Sequence, residues 1–373
     1  MKNGKIKILF LFVVTALFLC SCGTIDLSKA KRIEGRINML YGETLKLGPE
    51  QRETEIYEIL LKGLQNFEER IQIKGVTGDE LYDVYQKRMN REDIFWMNDF
   101  TVGEGQKFGF HAAYMDPEYL YSPEETEKMQ AELSAAVDEI TEKYESLGDF
   151  EKVKEVFDEI LDFTEYAYEV ADKPDEELTP EDMKAHTAYG CLVNHKAVCD
   201  GYTRALCVIL NRLNVPCDYV HGKANDAAHA WNRIELEGEY YYLDATWGDQ
   251  DKHRSYDYFN VNSAMLSVDH KIDESLDFPE TEAMKYNYDV YNGTYISDGM
   301  ELSEIGAVIE KQIPTGYARL RFETPETYSR AKDYFFDNGR IYDLPAYYDE
   351  YAAKKSISWY MKEDIRTWEI VFQ

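Results

Sequence analysis

Apolar side chains recur along this chain with two periods. From Glu55 to Phe67, the residues Ile56, Ile59, Leu60, Leu64 and Phe67 fall every three or four positions, which predicts a helix with one buried face. Arg70-Ile71-Gln72-Ile73-Lys74 alternates as a half-buried strand does. Gly78-Asp79-Glu80 opens a second helix, with Leu81, Val84, Tyr85 and Arg88 on one face, and Phe95-Trp96-Met97 reads as a buried strand. Ser122 is a good N-cap, Pro123 suits the first turn and acids follow, so a helix is predicted from 123 to 145. Another is predicted from Phe150 to Val170, and the proline- and acid-rich run Asp172 to Asp182 reads as an exposed loop. Beyond Met284 the order is strand, helix, strand: Ala318 to Phe322 alternates, Pro325 to Phe335 is helical and Thr367 to Phe372 alternates. This echoes residues 55–100, so a duplicated small α/β module is expected.

A chain of 373 residues with 44% hydrophobic side chains has cores to bury, and at about 150 residues per domain it divides into two or three. Its 41 basic against 71 acidic residues leave a net charge of −30. Such a surface repels a polyanion, so no nucleic-acid partner is expected. The extreme N-terminus departs from this balance. Lys2, Lys5 and Lys7 precede an apolar run from Ile8 to Leu19, and no acid occurs before Asp26, which is the pattern of an export signal. Twelve apolar residues fall short of the roughly 20 a membrane-crossing helix needs. Leu19-Cys20-Ser21-Cys22-Gly23 resembles the lipobox of bacterial lipoproteins. The expectation is therefore a signal over residues 1–21, a lipid on Cys22 and a tether over 22–50, placing the protein outside the cytoplasm, membrane-anchored at the bacterial cell surface. Losing residues 1–21 leaves 38 basic and 71 acidic residues, a net of −33. Anionic lipids would not attract that body, so the hold on a membrane would come from the acyl chains.

The remaining cysteines, Cys191, Cys199, Cys207 and Cys217, fall within 27 residues, and five of the seven histidines lie between His186 and His253. From Cys199 onward, Tyr202, Leu206, Ile209, Leu210 and Leu213 recur at helical spacing, and Asn214 before Pro216 supplies a stop. Cys199 then sits at a helix N-terminus, where unpaired amides and the dipole favour an anion. A thiol in that setting can fall from about 8.5 toward about 3.5–7.5, and the same amides can stabilise an oxyanion. Farther on, two β-rich runs, His229 to Leu236 and Glu239 to Asp244, flank Glu237-Gly238 and read as a tight hairpin. With those two as the turn, Leu236 faces Glu239, Asp244 faces Trp231, and His229 is the diagonal neighbour on the same face. One more residue in the loop would send Asp244 to the opposite face.

A helix-N-terminal cysteine, a strand histidine and an aspartate on the next strand are the parts of an activated-thiol triad. The segments Ala197-Val198-Cys199-Asp200-Gly201-Tyr202, His229-Ala230-Trp231-Asn232 and Asp244-Ala245-Thr246-Trp247 resemble the core of the bacterial transglutaminase-like superfamily. Tyr258-Phe259-Asn260 and Asp269-His270 resemble the tail of such domains, so the likeness covers about residues 130–275. Ala245 departs from the common Asp-Pro-Thr-Trp form, which bears on a turn and not on the triad. The resemblance implies an α+β, papain-like core: a helix carrying Cys199 packed on an antiparallel sheet carrying His229 and Asp244. Smaller α/β modules are expected over 51–125 and 281–373, around a catalytic domain at 126–280. The substrate cleft would take in Tyr189, Tyr202, Trp231 and Trp247, with Tyr189 the candidate second oxyanion donor. The implied activity is acyl transfer or hydrolysis on protein or peptide amides, without a cofactor.

Other chemistries remain. Cys191, His195 and Cys199 could share a helical face and hold zinc with His186 or Cys207, but Gly190, Val193 and Val198 weaken a continuous helix there, and no metal is expected. One disulfide among Cys191, Cys207 and Cys217 is compatible with a free Cys199. Asp249, Asp251 and Asp257 could hold calcium, though a solvated loop is the simpler reading. The alternative to an enzyme is a surface interaction module with a vestigial triad, for which 30 tyrosines would be suitable contact residues.

Overall fold

The computed structural model describes residues 48–88, 93–107, 110–250, 253–346 and 356–372. The expected signal, the expected lipid site Cys22, nearly all of the expected tether, and Asp251 lie outside these residues. The chain divides into two units, Met1–Tyr82 with Thr101–Asp116, and Asp83–Phe100 with Pro117–Gln373. Among the described residues no helix is long and apolar enough to cross a membrane.

In the first unit, helix α1 (Pro49–Gln65) buries Ile56, Leu60 and Leu64, three of the periodic positions. It packs against strand β1 (Ile71–Lys74), whose Ile71 and Ile73 are buried while Gln72 is exposed. Helix α2 spans Gly78–Arg88, followed by strands β2 (Met97–Lys107) and β3 (Phe110–Tyr119); the sheet order is β1-β3-β2. Phe95 and Trp96 are buried as expected, but in a turn that precedes β2.

The second unit opens with helix α3 (Pro123–Tyr144), capped by a reciprocal box between Ser122 and Glu125. Helix α4 (Asp149–Phe163) stops seven residues earlier than the periodicity suggests. Thr164 turns extended, and strand β4 (Glu165–Tyr166) pairs in parallel with strand β5 (Lys196–Ala197). That pairing removes the segment from the helix. Helix α5 is short (Ala188–Leu192), and helix α6 spans Cys199–Arg212. Tyr202, Leu206, Ile209 and Leu210 are all buried on α6, and Asn214 ends it in the left-handed region at φ 61°.

Helix α6 packs on strands β6 (Cys217–Ala224) and β7 (Ala227–Leu236). With β8 (Glu239–Leu243) and β9 (His270–Ile272) these form an antiparallel sheet in the order β9-β6-β7-β8. The β7–β8 register is the expected one, with Leu236 opposite Glu239 and Asn232 opposite Leu243. Glu237 and Gly238 both take positive φ, 53° and 83°, as the tight turn demands.

The C-terminal segment contains strand β10 (Tyr295–Ile296), helix α7 (Leu302–Gln312), strand β11 (Tyr317–Phe322), helix α8 (Pro325–Lys332), and strands β12 (Ile357–Lys362) and β13 (Thr367–Phe372). Its sheet order is β10-β11-β13-β12. Four strands in that order, with a parallel β10–β11 pair, do not repeat the three-stranded β1-β3-β2 sheet, so the expected duplication is not present.

Alternation along β11 suggests a polar outer face, yet Arg319 and Arg321 are buried. The Arg319 guanidinium meets Asp289 at 2.8 Å, Asp257 at 3.0 Å and Glu369 at 3.3 Å; Arg321 reaches Asp289 at 3.3 Å, and Lys362 pairs with Asp257. Asp257 is thus neither a calcium ligand nor a solvated loop residue. It is part of a set of three cations and three carboxylates, all buried except the partly exposed Lys362, joining the C-terminal sheet to the segment beside β8. Removing one partner leaves uncompensated buried charge, so Arg319→Met should cost about 3–5 kcal/mol in urea unfolding. A loss below about 1 kcal/mol would show that the network does not hold these segments together.

Candidate active site

Cys199 is the first residue of α6, and Val198, in the N-cap position, offers no side-chain cap to the first-turn amides. Its thiol lies near enough to the imidazole of His229 on β7 to help raise that ring's pKa. The Nε2 of His229 stands 2.8 Å from Asp244 Oδ2. Since Nε2 is directed at the carboxylate, Nδ1 is the ring nitrogen left to serve the thiol. Asp244 follows β8 directly. Its Oδ1 accepts from Trp247 N–H at 3.0 Å, capping the four-residue helix Ala245–Gly248, and its own N–H donates to the Tyr258 carbonyl. The carboxylate is 1% exposed and has little freedom to move.

A second histidine, to which the sequence reading assigned no role, completes the surroundings of Asp244. His270 Nε2 lies 3.1 Å from the same Oδ2, and its Nδ1 lies 2.6 Å from Asp269 Oδ1. The Tyr258 hydroxyl donates to the other oxygen of Asp269. His229 and His270 come from strands on either side of β6, where Gly222 faces both His229 and Ile272. A Cβ on Gly222 would come within 2.9 Å of the Trp231 ring and 2.2 Å of the Lys271 carbonyl, so glycine is needed there. Only the Asp269-His270 tail motif hinted at this residue.

Electrostatics follow from this arrangement. Burial opposes charge on His229, but the charge and hydrogen bond of Asp244, with help from Cys199, outweigh it and raise its pKa to about 10. Burial likewise disfavours ionised Asp244, yet the charge and hydrogen bond of His229 and the contact with His270 hold it well below the usual carboxylate range. His270 is also raised, its two carboxylates overcoming burial.

The other expected site residues are placed as follows. Trp231 is buried, stacked 6.0 Å from His229 within a cluster that includes Val220 and Tyr242. Trp247 is partly buried, 5.8 Å from His229. Tyr202 is not a cleft residue: it is fully buried, its hydroxyl donating to Asp249. Tyr189 is not placed as an oxyanion donor either, since its hydroxyl donates to Glu132 at 2.7 Å. The tyrosines near enough to feel the charge of Cys199, which helps raise their own hydroxyl pKa, are instead Tyr166 and Tyr219. Tyr219 also donates to Asp200, which takes a second contact from His186 Nδ1 at 3.0 Å.

Cys191, Cys207 and Cys217 are free and buried, with 3.7 Å between the sulfurs of the last two. Cys191, His195 and Cys199 do not share a helix face: α5 ends at Leu192, His195 is left-handed at φ 57° and α6 starts anew. Among the described residues one group, His229, Asp244 and His270, brings three possible ligand atoms within 4.8 Å of one another. Both imidazoles address one oxygen at hydrogen-bond distance, and hydrogen bonding accounts for the grouping.

Residues 134–245, which span all three triad positions, match the model of the transglutaminase-like superfamily. This segment is a transglutaminase-like domain. No curated protein matches the chain. Solved structures similar to it include a TGase (12% identity, 54% of this chain and 52% of that one, TM-score 0.32). Two others are a proposed cysteine protease from Cytophaga hutchinsonii (14%, 40% and 62%, TM-score 0.25) and a proposed protease from Parabacteroides distasonis (13%, 40% and 36%, TM-score 0.25). The chain spans about half the length of that TGase. In the transglutaminase-like domain, Cys199 opens the helix and His229 and Asp244 come from the hairpin.

Because the folded pKa of His229 is raised, its contribution to stability is complete below about 6.5, the unfolded value, and is lost as pH rises through about 10. Asp244→Asn should lower the His229 NMR titration midpoint and flatten the difference in stability between pH 6.5 and 10. An unmoved midpoint would mean that Asp244 does not set the charge on His229.

Proposed function

We propose that this protein is an exported, lipid-anchored thiol enzyme that transfers or hydrolyses acyl groups of protein or peptide amides. The observation that carries the reading is His229 held between the Cys199 thiol and the Asp244 carboxylate at an uncapped helix start. In this mechanism the Cys199 thiolate attacks the amide carbon, and the oxyanion is met by backbone N–H groups at the start of α6. The His229 imidazolium gives its proton to the departing amine, leaving a thioester on Cys199. An incoming amine or water then attacks the thioester and gives up a proton to His229, releasing the product and restoring the thiolate–imidazolium pair. Asp244 keeps the ring oriented throughout. The acceptor decides between transferase and amidase or peptidase, since both pass through the same thioester. The lipid on Cys22 would keep the acidic body at the outer membrane surface by acyl chains alone.

Iodoacetamide at pH 6–7 tests the nucleophile, with Cys191, Cys207 and Cys217 as buried controls at 0–1% exposure. Cys199 should be carbamidomethylated at least about tenfold faster than these, and His229→Ala should remove most of that advantage. Labelling no faster than Cys207 would overturn the proposal and favour the interaction-module alternative. Once Cys199 proves reactive, amine incorporation against peptide release assigns the acceptor.

A further inference from the structure

The cluster around Asp244 contains a cation that a Cys–His–Asp triad does not require. His270 has no exposed side-chain surface, and both its ring nitrogens are engaged by carboxylates, Asp244 at 3.1 Å and Asp269 at 2.6 Å. Neither carboxylate can donate while ionised, so both nitrogens must carry protons, and the ring is an imidazolium. Trp231, Trp247 and Tyr258 surround it at centroid distances of 5.0, 4.6 and 4.7 Å, which fixes its plane. The groups facing it are Asp244 from the end of β8, Asp269 just ahead of β9, His229 from β7 at 5.8 Å, and the Tyr258 hydroxyl acting through Asp269; from β6, Ala224, Gly222 and Val220 on that face carry no charge.

We propose that His270 is a positioning and charge-balancing residue for the triad: its imidazolium, clamped between Asp269 and Asp244, pins the Asp244 carboxylate against His229 and offsets its buried negative charge. The proposal rests on the reading of Cys199, His229 and Asp244 as the reacting set. The physical need is specific. A buried carboxylate facing one histidine alone would bind that histidine's proton too well, whereas His229 must both release and recover a proton in each cycle. A second cation on the same oxygen divides the pull of Asp244 between two rings. Asp269, tied to Tyr258, keeps that second cation charged in turn. The row Tyr258–Asp269–His270–Asp244–His229–Cys199 is thus a chain of alternating charge with one reactive end.

Three measurements on the protein test this. In 15N-histidine-labelled wild type, His270 should show imidazolium ring shifts at pH 7.5. His270→Gln retains a donor toward Asp244 but no charge, so the His229 midpoint should rise by about one pH unit or more. His270→Phe retains the ring among its aromatic neighbours without charge or hydrogen bonds, and should slow alkylation of Cys199 as Asp244 loosens. Should the Phe variant fail to fold, the wild-type and Gln measurements still decide. A neutral His270 at pH 7.5, or an unmoved His229 midpoint in the Gln variant, would overturn the proposal. Failure of the underlying triad reading is seen separately, as a wild-type Cys199 whose alkylation does not depend on His229.

Discussion

The candidate active site of this domain is organised around one buried carboxylate. Asp244 ends β8, caps the turn that follows it and receives two imidazoles on a single oxygen. A carboxylate with 1% exposure can stay ionised only if its surroundings supply donors and charge, and here they do so from three separate stretches of chain. The hairpin supplies His229, the capped turn supplies a backbone N–H, and a strand 26 residues away supplies His270. The placement of His229 is therefore tied to keeping Asp244 charged in the interior.

The same physics recurs on the C-terminal side without any reactive group. The buried Arg319 and Arg321 and the partly exposed Lys362 face Asp257, Asp289 and Glu369 in a charge-balanced set. In a chain with 71 acids and 41 bases, basic residues are scarce, and three of them are committed to this one junction. Burying them costs desolvation free energy that only mutual pairing offsets. The junction is consequently specific in register: a shift of one residue along β11 would turn both arginines to the other face.

Much of this was legible in the residues. The spacing of Tyr202, Leu206, Ile209 and Leu210 placed Cys199 at a helix start, and Glu237-Gly238 set a register that the structure reproduces pair by pair. Both signals are local, resting on a period and a turn type. What misled was local too. The periodicity of residues 150–170 continues past Phe163, but a parallel pairing with residues 31 positions away draws Glu165 and Tyr166 into a strand. The alternation of β11 predicted a strand correctly and its wet face wrongly, because the partners that dry that face lie in other segments.

The sequence by itself determined which side chains could react and which of them share a sheet face, since helix period, strand alternation and turn chemistry act over a few residues. Only the tertiary structure decided what surrounds them. It placed Tyr202 in the core, turned Tyr189 toward Glu132 and brought His270 onto the oxygen of Asp244 that His229 already uses. Contacts of that kind are chosen by the free energy of burying charge across distant segments, and no pattern within one segment carries that information.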